Sequence, residues 1–183
     1  MLLREIIRHK RAAQKLLDHL LKLTDETKIA EISGKRGGVL CVGRPDGCPK
    51  LCVTIGAPAK EQEYRFVNNA IEKCCRLGSN TKLASSRVSA NEDFGRYAGA
   101  ILGDTWIYSF SGFPQDMDEV YSLALAAMLE DISSDNAMRI AGMRILNKSG
   151  EYRANIYADL LYHELLVFAD QQKKGAKILT KKR

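Results

Sequence analysis

Apolar residues at Leu3, Ile6, Ile7, Ala13, Leu17, Leu20 and Leu21 recur at helical spacing over residues 2–23. Arg4, Arg8, Arg11, Lys15 and Lys22 fall mostly elsewhere, which predicts an amphipathic first helix. The pattern then shortens. Val39 to Gly43 and Lys50 to Ile55 read as strands, and Arg44-Pro45-Asp46-Gly47 between them is turn chemistry, so a hairpin is predicted. Helical spacing returns from Lys60 to Leu77, with Gly78 as the expected C-cap. A second hairpin is predicted from Arg96 to Leu102 and Thr105 to Ser111, turning at Gly103-Asp104. Asp116 and Glu119 resemble a capping box that opens a helix with the stripe Val120, Leu123, Ala124, Ala127 and Met128. Two further helical runs follow, Asn136 to Asn147 and Glu151 to Gln172, separated by Lys148-Ser149-Gly150. Tight turns within each strand pair imply an α+β fold: an antiparallel sheet flanked by helices, over residues 1–133. Residues 134–172 are expected to append a helical pair, and 173–183 a flexible basic tail.

The second hairpin is chemically unusual. Trp106, Tyr108 and Phe110 alternate to one face, whereas Ser109 and Ser111 share the other with Ile107, and the preceding strand carries Ala98, Gly99 and Ala100. So bare a surface lets another group approach the backbone closely. In a hairpin the start of one strand lies beside the end of the next. The polar residues Arg87, Ser89, Asn91, Glu92, Asp93 and Arg96 should therefore meet the segment from Ser109 through Ser111 and Gly112 to Pro114. A ligand pocket is expected there, with Arg87 and Arg96 gripping a carboxylate or phosphate. The plainer alternative is that Asn91 to Asp93 cap a turn or short helix and the arginines answer nearby acids.

Charge adds little to this picture. The chain of 183 residues carries a net charge of +6, and Lys173, Lys174, Lys177, Lys181, Lys182 and Arg183 account for that excess, leaving a neutral body. Nucleic acid is therefore not expected as a partner beyond weak, salt-sensitive attraction by the tail. No signal sequence and no membrane span is read, and the expected location is the cytoplasm. The five cysteines should then be reduced thiols. Their spacing lacks a Cys-x-x-Cys pair and does not point to a metal site, and Cys74 reads as a small buried hydrophobe. Ser85, Ser86 and Ser89 lack a nucleophile-elbow setting, and "GKRGG" lacks phosphate-loop spacing. Among the histidines, His9 and His19 fall at the edge and on the polar side of the first helix. His163 shares a face with Tyr152, Ile156, Leu160 and Val167 and is the best placed of the three.

Three stretches carry a resemblance: "IGAPAKEQEYRFVNNAIEKC" (55–74), "GRYAGAI" (95–101) and "SFSGFPQDMDE" (109–119). With the element order from Leu3 to Asp131 they resemble the GlcG/HbpS-like haem-degrading, haem-binding domain family. In that family a Gly-Ala-Ile strand, here Gly99 to Ile101, leads through Ser-Gly, here Ser111 and Gly112, into a helix opening with Asp-Glu, here Asp118 and Glu119. The resemblance implies a profilin-like sheet, a homo-oligomer, and binding of haem, another tetrapyrrole or some other small ligand. It supplies no haem-ligating residue. A small-molecule-binding or sensory module is thus the first expectation, with any catalysis left open. An enzyme using Glu92 or Asp93 as acid and base with Arg96 as anion clamp is the second. A protein-interaction module docking a partner through the C-terminal helices and the basic tail is the third.

Overall fold

The structure is a computed structural model that describes residues 1–27, 34–80, 82–145 and 156–181. Helix α1 (Leu3–Thr27) precedes strands β1 (Gly37–Gly43) and β2 (Pro49–Gly56), then helix α2 (Lys60–Gly78). Two 3-10 turns lead into β3 (Ala100–Leu102) and β4 (Ile107–Ser111), followed by α3 (Gln115–Met128), α4 (Ser134–Ile145) and α5 (Ile156–Lys181). The four strands form one antiparallel sheet in the order β2-β1-β4-β3, flanked by helices, as the two hairpins foretell. Among the described residues no helix is long and apolar enough to cross a membrane.

Strand alternation divides the interior in two. Leu40, Val42, Ile101, Tyr108 and Phe110 point into the larger core, shared with α1, α3 and Leu161 and Leu165 of α5. Val39, Cys41, Ala100 and Ile107 point the other way, against Ala70, Cys74 and Leu77 of α2. Each fully buried aliphatic side chain contributes roughly 1.5–3 kcal/mol, so both faces of the sheet are held by helices. The small residues on the second face are what let α2 settle so closely: a Cβ on Gly43 would lie 2.3 Å from the Cys74 sulfur.

Several local expectations are corrected. The buried stripe of α1 runs through His9, Ala13, Leu16, Leu17 and Leu20, leaving Leu3 and Ile7 exposed. Gly78 is the last residue of α2 and not a left-handed cap. Its missing side chain admits the β1–β2 turn, since a Cβ there would sit 2.1 Å from the Gly47 nitrogen. The second hairpin turns through Gly103–Trp106, where the Asp131 carboxylate accepts the Thr105 and Trp106 N–H groups at 2.9 Å each. No capping box opens α3, whose N-cap is Pro114 without a side-chain cap. Helix α5 continues to Lys181 and takes in most of the expected flexible tail. The Lys148-Ser149-Gly150 separator, Glu151 and Tyr152 lie outside the described residues.

Candidate functional site

Lys73 lies on the sheet-facing side of α2, three residues after Ala70 and four before Leu77, and only 1% of its surface is exposed. A buried ammonium is costly unless it is paired and hydrogen-bonded. Here it donates to the Asp118 carboxylate at 2.8 Å and to the Phe110 carbonyl at 2.9 Å. Asp118, 2% exposed in the first turn of α3, also accepts the Phe113 N–H at 2.9 Å. Burial pushes the Asp118 carboxyl upward, while the charge and hydrogen bond of Lys73 and the Phe113 N–H pull it down. Gly99 makes room for this pair. Its φ is +128°, and a Cβ would meet the Asp118 Cβ at 2.7 Å and the Lys73 nitrogen at 2.8 Å. The close approach implied by the bare strand is thus made by an ion pair from two helices.

Above the pair opens a cavity of about 350 Å³. Successive turns of α2 supply one wall with Gln62, Arg65, Phe66 and Asn69, and Lys73 and Asp118 also line the cavity. The other wall is Glu92, Tyr97 and the link from Ser111 to Gln115, with Lys35 at the side. Gln115 braces that wall by accepting the Ala98 N–H at 3.1 Å and donating to Glu92. Three cations and two carboxylates therefore line one space. Lys73 and Asp118 neutralise each other, and among the described residues neither Lys35 nor Arg65 has an ion-pair partner. The remaining field favours an anion.

Of the residues expected to form a site, Glu92 and the segment from Ser111 through Gly112 to Pro114 line this cavity. Arg87, Ser89, Asn91, Asp93, Arg96 and Ser109 do not. Arg87 turns to α3, where its Nε donates to Glu119 at 2.5 Å and its Nη2 to Asp116. Burial alone would lower the Arg87 pKa, but the charges of Glu119 and then Asp116 outweigh it and raise it. Ser85 donates its hydroxyl to the buried Glu119 and accepts the Arg87 N–H at 3.1 Å, so the arginine fastens its own loop. Asn91 and Arg96 are exposed and exchange backbone hydrogen bonds of 2.7 and 2.9 Å, closing a small loop around Gly95 with φ +66°. Arg76 ties the same segment to α2 by donating to the Ser86 carbonyl at 2.8 Å and to the Ser89 hydroxyl at 2.6 Å. The plainer alternative describes Arg87, which answers acids; Asn91 precedes a short 3-10 turn but makes no side-chain cap bond.

Ser109 is sealed between β1 and β3 at 0% exposure, and among the described residues its hydroxyl has no hydrogen-bond partner. A buried hydroxyl without a partner costs about 1–3 kcal/mol. Ser109→Ala is therefore expected to stabilise the fold by about 1 kcal/mol, read as a higher midpoint in urea unfolding; a lower midpoint would contradict the unpaired state.

The histidines also redistribute. His163 is exposed, whereas His9 is 4% exposed and stacks on Tyr108 at 5.9 Å between ring centres. His9 Nδ1 hydrogen-bonds the Glu5 carbonyl at 2.7 Å, and its buried Nε2 has no partner among the described residues. Burial is the main cause that lowers its pKa below 6.5, ahead of the Glu5 hydrogen bond, which raises it. The unfolded chain therefore binds more protons than the fold below that value, and stability is lost as pH falls through it. His9→Gln is expected to flatten that part of the stability profile, measured by urea unfolding between about pH 7 and 5. An unchanged slope would contradict the neutral buried ring.

Comparison with protein-family models, with curated proteins and with solved structures finds no match to this chain.

Proposed function

We propose that this protein is a small-molecule-binding module whose ligand is a small organic anion seated between α2 and α3. The observation that carries this proposal is the cavity, lined by Arg65 and Lys35, neither in an ion pair among the described residues, and by the fixed Lys73. Phe66, Tyr97 and Phe113 give apolar surface for the body of such a ligand, and the side-chain amides of Gln62 and Asn69 give it orientation. Haem fits the lining less well. Among the described residues that line the cavity there is no histidine, cysteine or methionine, which leaves Tyr97 as the one side chain there of a type that holds haem iron. The enzyme alternative keeps Glu92 but loses Asp93 and Arg96, which do not line the cavity.

Calorimetric titration of the full chain with benzoate, citrate, phenyl phosphate and inorganic phosphate tests the proposal. Binding of at least one organic anion is expected, weakened about tenfold in Arg65→Ala, as loss of a charge-assisted hydrogen bond would produce. Arg65 is exposed, so its removal should leave the melting temperature unchanged. A Soret band on haem addition that persists in Arg65→Ala, with no organic anion bound, would overturn it.

A further inference from the structure

We propose that Cys41 and Cys52 are a reversible disulfide site across β1 and β2, closed by reaction with a hydroperoxide and independent of the anion cavity. The two residues are direct partners in the antiparallel register. Direct partners have Cα atoms about 4.5 or 5.5 Å apart according to the pairing type, and both distances lie inside the disulfide range. Their side chains also leave the sheet on the same side. That side faces α2, and its cysteines differ in access: Cys41 is fully buried and Cys52 is exposed.

This asymmetry divides the chemistry. The exposed Cys52 thiolate attacks the hydroperoxide, breaking its O–O bond to give the sulfenic acid and, after proton uptake, an alcohol or water. The Cys41 thiolate then attacks the Cys52 sulfur, the S–S bond forms, and the hydroxyl leaves as water once protonated. Two thiols are oxidised by two electrons and one hydroperoxide is reduced.

The neighbours set the rate. Cys74 packs over the same face of β1, against Gly43. A hydrogen bond to Cys74, then burial, raises the Cys41 pKa well above the ordinary thiol range. Burial and then the charge of Cys74 raise that of Cys52. Closure should accordingly be slow at neutral pH and accelerate as pH rises. Among the described residues no group of three or more ligand side chains could hold a metal ion in competition.

The test treats the full chain with hydrogen peroxide at about pH 8, then alkylates it and maps the peptides. Loss of two of the five free thiols, a Cys41–Cys52 linked peptide, and recovery with dithiothreitol are expected. Cys52→Ala, at an exposed position, should abolish the linkage, and Cys75→Ala should leave it intact. A Cys41–Cys74 link, links only between chains, undiminished thiol loss in Cys52→Ala, or no loss at all would each overturn the proposal. None of these outcomes bears on anion binding.

Discussion

Lys73→Met is expected to destabilise the protein by about 3–5 kcal/mol, because it leaves the Asp118 carboxylate buried without its cation. Both side chains are almost wholly removed from water, at 1% and 3% exposure, so solvent does not screen the loss. The double variant Lys73→Met/Asp118→Asn should regain more than half of it. Asparagine is neutral yet can still accept the Phe113 N–H that Asp118 Oδ1 now takes. Urea unfolding of the two single variants and the double variant gives the coupling between the sites directly. A loss below about 1 kcal/mol in Lys73→Met would mean that the pair is not the buried ionic contact described.

Gly99→Val is expected to cost about 3 kcal/mol, from a β-branched side chain at positive φ together with overpacking. The bare strand in the sequence foretells a cost of at least about 1 kcal/mol at this position. The added penalty arises because a Cβ would press on both members of the Lys73–Asp118 pair. Gly95→Ala is the contrast. Gly95 also has positive φ, +66°, but a Cβ there meets nothing within 4 Å, so only backbone strain of about 1 kcal/mol is expected. Equal losses in Gly99→Val and Gly95→Ala would contradict the packing account; both are read by urea unfolding.

What the sequence made legible was periodic or local. The alternation in Trp106 to Ser111 separates the two faces of β4 correctly, and Arg44 to Gly47 turns the first hairpin as its residue types demand. The site depended on pairings across long stretches of chain. Lys73 meets a carboxylate 45 residues away, and Arg87 meets Glu119 32 residues away. Asp116 and Glu119 have capping-box spacing, but a spacing cannot tell a carboxylate that caps its own helix from one that answers a distant cation. One signal did exist. Lys73 stands on the same α2 stripe as Ala70, Cys74 and Leu77, and a lysine among residues destined for the interior needs a buried partner. His9 is similar: its place on the stripe of Ala13, Leu16 and Leu20 was readable, though its polarity argued for the edge.

The clash at Gly99 also explains why the cavity is offset from the expected place. Ala98, Gly99, Ala100, Ser109 and Ser111 leave room for α2 and its lysine, and the cavity opens beyond that pair, toward the turn leading into α3. In the proposed reading, Arg65 and Lys35 take the part expected of Arg87 and Arg96.

The most direct measurement is a crystal structure of the protein soaked with whichever organic anion binds most tightly in solution. Density is expected between α2 and α3, with the anionic group within hydrogen-bonding distance of Arg65 or Lys35. Density for that anion elsewhere, with the space above Lys73 and Asp118 holding only water, would contradict that placement.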